Sequence, residues 1–182
     1  MKWIILLLLL ISALLLWRVW RPTARLSIGD LAPAFELIDQ HSQQHTLAHY
    51  RGRWLVLYFY PRDDTPGCTR EACQFRDVFQ PLQTLHAEVI GISVDGTELH
   101  ARFAEKYHLP FTLLADTQGE VAARYGALIK LSPLKMARRI TFIITPEGHI
   151  AHLFPSVNPA RHASEVMRIL KELQDRVAVN GT

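Results

Sequence analysis

Trp54-Leu55-Val56-Leu57-Tyr58-Phe59-Tyr60-Pro61-Arg62-Asp63-Asp64-Thr65-Pro66-Gly67-Cys68 is the stretch in which the chain changes pattern most sharply. The apolar and aromatic run from Trp54 to Tyr60, stopped by Pro61, has the length and composition of a central strand buried on both faces. Thr65-Pro66 then has the form of a helix start, with Thr65 at the N-cap and Pro66 at the first helical position. A buried strand followed within a few residues by a helix is a building unit of α/β sheets.

Outward from this unit the same alternation continues. Residues 89–95 have the character of a second buried strand and 99–107 of a helix. Residues 111–116 are expected to be a strand, 121–125 a short helix and 140–144 another strand. Pro146-Glu147-Gly148-His149 is a β-turn signal leading into 150–154, which predicts an antiparallel hairpin. Upstream, Phe35-Glu36-Leu37 follows Pro33 as a short edge strand, and 39–44 reads as a polar turn. Val166, Ile169, Leu170, Leu173 and Val177 recur at helical spacing, so the last segment is an amphipathic helix. The fold class implied is α/β, a mixed central sheet flanked by helices. Residues 128–138 give no clear pattern.

The 182 residues are 49% hydrophobic and 20% charged, with 9 Gly and 10 Pro, which argues against collagen, a disordered chain or a disulfide scaffold. Lys2, Arg18, Arg21 and Arg25 account for the net charge of +3, since the remainder carries 16 basic and 17 acidic side chains. That balance offers no basic face for nucleic acid. Residues 3–17 are apolar except for Ser12, a run about 22 Å long as a helix, or about 27 Å with Val19 and Trp20 included and Arg18 snorkelling. The expectation is a single transmembrane anchor over 1–21, a linker over 22–26 and a domain over 27–178, located at a bacterial inner membrane with the side of the domain left open. A cleaved signal peptide is the rival, but no small-x-small pair follows the run.

Cys68 and Cys73 are the two cysteines. A structural disulfide closing so short a loop would stabilise the chain by only about 2 kcal/mol. Structural zinc needs further ligands nearby, and the Cys-x-x-Cys dithiol spacing is absent. The local chemistry favours a reactive thiol instead. Cys68 falls in the first helical turn, where unpaired backbone N–H groups and the macrodipole stabilise a thiolate, and Gly67 leaves room beside the sulfur for a small substrate. If the helix continues through 70–79, Cys73 lies about 7.5 Å along and about 140° round, for a Cα separation of roughly 8–9 Å. Disulfides rarely exceed about 7 Å, so a Cys68–Cys73 bond requires the first turns to unwind.

Other polar residues have bland readings. Glu71 is either a hydrogen-bonding group of the site or a solvated helix carboxylate. His41, His45 and His49 recur every four residues but span a polar turn, which argues against a metal site. His149 and His152 would face opposite ways on a strand, Asp63 and Asp64 read as a solvated loop, and Tyr58 and Tyr60 read as core residues whose hydroxyls need partners.

The run from Tyr58 to Cys73 closely resembles the active-site signature of the peroxiredoxins, and within them the Q class, also called bacterioferritin comigratory protein-like. Pro61, Thr65 and Cys68 meet the Pro-x-x-x-Thr-x-x-Cys pattern, and a second cysteine five residues on is the mark of that class. Likeness extends over 27–175, including Phe75-Arg76-Asp77, Gly91-Ile92-Ser93-Val94-Asp95 and Arg139-Ile140-Thr141-Phe142. The resemblance implies a thioredoxin-like fold and a peroxidase that reduces hydrogen peroxide and organic hydroperoxides with no metal, flavin or other cofactor. It assigns Cys68 as peroxidatic and Cys73 as resolving cysteine, joined in an intramolecular disulfide. Thr65 maps to the hydroxyl contacting sulfur and peroxide, Pro61 to the residue shielding the pocket, and Arg139 to the guanidinium beside the thiolate. The Arg-x-Thr-Phe spacing selects Arg139 over Arg138. The partners implied are a peroxide, a thioredoxin-like dithiol donor and, through the anchor, a membrane, with the chain a monomer. Two rival functions stand beside this: a membrane-anchored thiol–disulfide oxidoreductase, for which the dithiol spacing is missing, and a non-catalytic thioredoxin-like module, which would be expected to lack Cys68, Thr65 or Arg139.

Overall fold

The computed structural model describes residues 26–131 and 134–180 of the chain. The strands are β1 (Glu36–Asp39), β2 (Gln44–Thr46), β3 (Trp54–Phe59), β4 (Ala87–Ser93), β5 (Thr112–Ala115), β6 (Leu128–Leu131), β7 (Leu134–Ala137), β8 (Ile140–Ile144) and β9 (Ile150–Phe154). The helices are α1 (Pro66–Asp77), α2 (Phe79–Thr84), α3 (Thr97–Tyr107), α4 (Glu120–Arg124) and α5 (His162–Asn180).

Seven strands form one sheet in the order β2-β1-β5-β4-β3-β8-β9. β3, β4 and β5 run parallel, and the remaining pairs are antiparallel. Every residue of β3 is buried, because successive side chains point to opposite faces and both faces are covered. Trp54, Val56 and Tyr58 join α1 and α5 in one core, whereas Leu55, Leu57 and Phe59 join Tyr50, Tyr125 and Phe142 in the other. Cys68, Glu71, Ala72 and Phe75 form the buried stripe of α1 at helical spacing, and Val166 and Leu170 of α5 share their core. The thioredoxin-like α/β architecture is as the sequence implies.

Several local expectations are corrected. The helix expected to run through 70–79 ends at Asp77, and α2 starts afresh at Phe79. Pro81 is the cause: it has no N–H for the carbonyl of Asp77, and its ring crowds that carbonyl. β1 is not an edge strand. It lies between β2 and β5, and β2, formed partly from the expected turn, takes the edge. Asp39 ends β1 and accepts the backbone N–H of both His41 and Gln43, which tightens the turn. Residues 128–138 fold as the β6–β7 hairpin, a two-stranded sheet of its own. Val177 is 61% exposed, so the apolar stripe of α5 is not buried as far as this residue.

The transmembrane part of the expected fold class is also corrected. Among the described residues no helix is long and apolar enough to cross a membrane. The longest, α5, carries Glu165, Arg168, Lys171, Glu172, Asp175 and Arg176, and charges of this kind cost about 2.5–3.5 kcal/mol each at a bilayer centre. The anchor expected over 1–21 lies outside the described residues. The fold class of the described residues is a thioredoxin-like α/β domain, and the inner-membrane location and membrane partner that rested on the anchor are dropped.

Candidate active site

Between β3 and α1 the chain turns at the C-terminal end of the parallel strands, held by buried polar side chains. Tyr60 donates its hydroxyl to Asp63 Oδ1 at 2.7 Å, and His100 Nδ1 lies 2.7 Å from Asp63 Oδ2. The Asp63 N–H is bonded to Asp95 Oδ2 at 2.7 Å. Asp63 is thus a buried clamp and not the solvated residue expected, because β4 and α3 bring Asp95 and His100 over it. Its neighbour Asp64 is exposed and pairs with Lys106 and the Tyr107 hydroxyl. Tyr58 and Tyr60 are core residues as expected, but among the described residues the Tyr58 hydroxyl has no hydrogen-bond partner.

Thr65 occupies the N-cap in an extended conformation and Pro66 starts the helix, yet the Thr65 side chain does not cap it. Its hydroxyl donates to the Arg62 carbonyl at 3.1 Å. Pro61 is half-buried where the β3 run ends. Cys68 lies in the first turn of α1, 2% exposed, and both cysteines are free thiols, with Cys73 half-buried.

Arg139, in the short link between β7 and β8, reaches across to this turn. Its Nη2 donates to Cys68 Sγ at 3.0 Å and its Nη1 to Glu71 Oε2 at 2.5 Å. Arg138 lines a separate groove of about 320 Å³ with Tyr125, Phe142 and Leu153, residues of or beside the other core. The space above Gly67 is not left for substrate: a Cβ there would lie 2.8 Å from Arg139 Nη2, so the glycine makes room for the guanidinium.

Glu71 resolves to the first of its two readings. It is 1% exposed, and burial lifts its pKa to about 7 against the opposing pull of Arg139. Oε1 has no hydrogen-bond partner among the described residues and lies 4.0 Å from His162 Nε2. His162, fully buried, is bonded through Nε2 to Thr141 Oγ1 at 2.8 Å, with the rings of Phe75 and Phe154 set edge-on to it. Burial, reinforced by the charge of Arg139, pushes its pKa down to about 4. Nothing local in the sequence marks His162, because it enters the site only when α5 packs on α1. The other histidines do not gather: His45 pairs with Asp39 at 2.9 Å, His49 accepts from the Thr46 N–H and His149 contacts the Gly29 carbonyl. Among the described residues no group of three His, Cys, Asp or Glu is arranged to hold a metal ion.

Residues 28–153 match the AhpC/TSA family. The chain belongs to that family. It is 38% identical over 155 residues to peroxiredoxin Bcp of Bacillus subtilis, covering 83% of this chain and 99% of that one. With the chloroplastic peroxiredoxin Q of Oryza sativa subsp. japonica the identity is 39% over 150 residues, 82% of this chain and 69% of the relative. Among solved structures, peroxidoxin BcpB of Mycobacterium tuberculosis superposes with a TM-score of 0.77 at 34% identity, over 81% of this chain and 98% of its own. PrxQ of Xylella fastidiosa superposes equally well, at 0.77 and 30% identity over 82% and 98%. The enzyme is a peroxiredoxin of the Q, or Bcp, class, and its activity is that of a thiol peroxidase.

Proposed function

We propose that Cys68 attacks the peroxide and that Cys73 resolves the product, with reducing equivalents from a thioredoxin-like dithiol. The observation that carries this is the 3.0 Å contact from Arg139 Nη2 to a buried Cys68 Sγ in the first turn of a helix. A cation contacts the sulfur in a first helical turn, where the backbone N–H groups have no helical acceptor, and this is the setting a nucleophilic sulfur needs. The sulfur attacks the terminal oxygen of ROOH, the O–O bond breaks as S–O forms, and ROH departs once its oxygen takes a proton. Charge builds on the leaving oxygen, where the Arg139 fork is the donor at hand, and the Thr65 hydroxyl joins it by turning away from the Arg62 carbonyl. Pro61, half-buried at the end of the β3 run, is the residue assigned to shield the pocket.

The resulting Cys68–SOH condenses with the Cys73 thiol to a disulfide and water, which spares Cys68 further oxidation. Five residues along a helix is too far for that bond, so α1 unwinds before it forms. The external dithiol then reopens the disulfide by exchange. Hydrogen peroxide and small organic hydroperoxides both fit this chemistry, because only the two oxygens are engaged. No metal or flavin takes part in these steps.

Stopped-flow oxidation of three proteins tests the assignment. Cys68→Ser is expected to consume no peroxide, and Cys73→Ser to complete one turnover and then stall or overoxidise. Wild-type turnover by Cys68→Ser with dithiol supplied overturns the assignment.

A further inference from the structure

Arg139 serves two acids with one positive charge, donating to Cys68 Sγ through Nη2 and to Glu71 Oε2 through Nη1. Cys68 is 2% exposed and Glu71 1%, so little water reaches either group. Two anions around a single guanidinium in such a site leave one negative charge uncompensated, and a buried uncompensated charge is costly. One guanidinium therefore neutralises only one of the two acids at a time.

Among the described residues, the remaining groups that face Glu71 supply no second cation. His162 approaches from α5 and is held neutral by burial, with its Nε2 bonded to Thr141. Tyr58 approaches from β3, where burial first and then the Glu71 charge hold its hydroxyl protonated. Glu71 Oε1 is enclosed without a partner among the described residues, a position much less costly for a neutral carboxyl than for a carboxylate.

We infer that Glu71 stores the proton that Cys68 gives up and returns it when the peroxide is cleaved. The inference rests on Cys68 being the attacking thiol. In the resting enzyme, Cys68–SH and Glu71–COO⁻ become Cys68–S⁻ and Glu71–COOH, with the net charge around Arg139 unchanged. Attack on ROOH then forms the S–O bond and breaks O–O, and the Glu71 proton ends on the departing oxygen. The products are Cys68–SOH, Glu71–COO⁻ and ROH. Loss of the charge on sulfur leaves Arg139 wholly to Glu71, which is why the proton leaves at that moment. Reduction of the later disulfide restores the Cys68 thiol and re-arms the pair. The carboxyl of Glu71, lifted by burial to about 7, has the proton affinity such a store needs near neutral pH.

Proton stoichiometry tests this. In a Cys73→Ser background, which stops the cycle at the sulfenic acid, one equivalent of hydrogen peroxide is added near neutral pH in weakly buffered solution with a pH indicator. The protein with Glu71 is expected to take up one proton fewer per site than the Glu71→Gln protein, which has no internal donor. Infrared difference spectra of the Glu71-containing protein alone provide a second readout that does not depend on the variant folding. A protonated-carboxyl C=O band is expected in the reduced enzyme and lost on oxidation. Oxidised residue-68 sulfur with equal proton uptake in the two proteins, or with no change in the carboxyl band, overturns the inference alone. Sulfur that stays reduced overturns the reading of Cys68 and this inference with it.

Discussion

A Cβ placed on Gly67 would lie 2.8 Å from Arg139 Nη2, so the residue before Cys68 is small because a guanidinium fills the space over it. Gly67 sits inside α1, and alanine is intrinsically better there by up to about 1 kcal/mol. Gly67→Ala is therefore expected to leave the melting temperature unchanged or slightly raised while moving Arg139 off Cys68. A displacement of about 1 Å at a reacting group can cost as much as about 100-fold, and a loss of that order in the rate of Cys68 oxidation is expected. Loss of folding in proportion to activity would contradict it.

Glu71 and His162 make opposite demands on pH. Glu71 is lifted from its ordinary 4.5 to about 7, so its contribution is complete below pH 4.5 and is lost as pH rises through 7. His162 is lowered from 6.5 to about 4, so its contribution is complete above pH 6.5 and is lost as pH falls through 4. Between 4.5 and 6.5 the two slopes oppose, and the wild-type pair adds little net pH dependence. Relative to wild type, Glu71→Gln should gain stability with rising pH across that window, and His162→Phe should lose it, each by at most about 3 kcal/mol. Urea melts at a series of pH values measure both slopes, and variants that run parallel to wild type would rule the coupling out.

Disulfide formation and the α1 helix are mutually exclusive by distance. The helix is also held from outside, where Gln74 donates to the Ala160 carbonyl at 2.5 Å and Arg76 to the Tyr107 carbonyl at 2.9 Å. Oxidation should break these contacts, with faster amide exchange over 66–76 and lower far-UV helicity. Equal protection in the reduced and disulfide forms would show that the bond forms without unwinding.

Tyr107 holds both ends of the segment that must open. Its hydroxyl donates to Asp64 Oδ1 at 2.6 Å, just upstream of Thr65, and its carbonyl accepts from Arg76 near the end of α1. Tyr107→Phe removes the first tie without touching the Cys68–Arg139 contact. The expected result is an unchanged first oxidation of Cys68, quicker disulfide formation and less sulfinic acid at high peroxide, read by intact mass. More sulfinic acid than in wild type would reverse the role given to this tie.

The strand from Trp54 to Phe59, the helix start at Thr65-Pro66 and the closing hairpin were legible because each is written in contiguous residues: an apolar run, a proline at N1, a turn signal. The Pro81 break was equally local and could have been read, since a proline interrupts a helix at a fixed offset. The burial of Asp63 is not legible, because two neighbouring acids beside an arginine look solvated until β4 and α3 deliver Asp95 and His100 to one of them. The sequence does not decide between the two readings of Glu71 for a similar reason: its burial depends on the face α1 turns toward α5, and its partner comes from the β7–β8 link.

What the amino-acid order determined by itself is the chemistry available: a cysteine at the start of a helix, a threonine and a proline before it, a second cysteine five residues on. Local propensities and hydrophobic period act over a few residues, so these features survive without knowledge of the fold. Tertiary structure alone decided how the charges are shared, because one guanidinium placed between Cys68 and Glu71, with a neutral His162 behind them, is an arrangement in space. The strength of each of those interactions depends on distance and on exclusion of water, and neither is written along the chain.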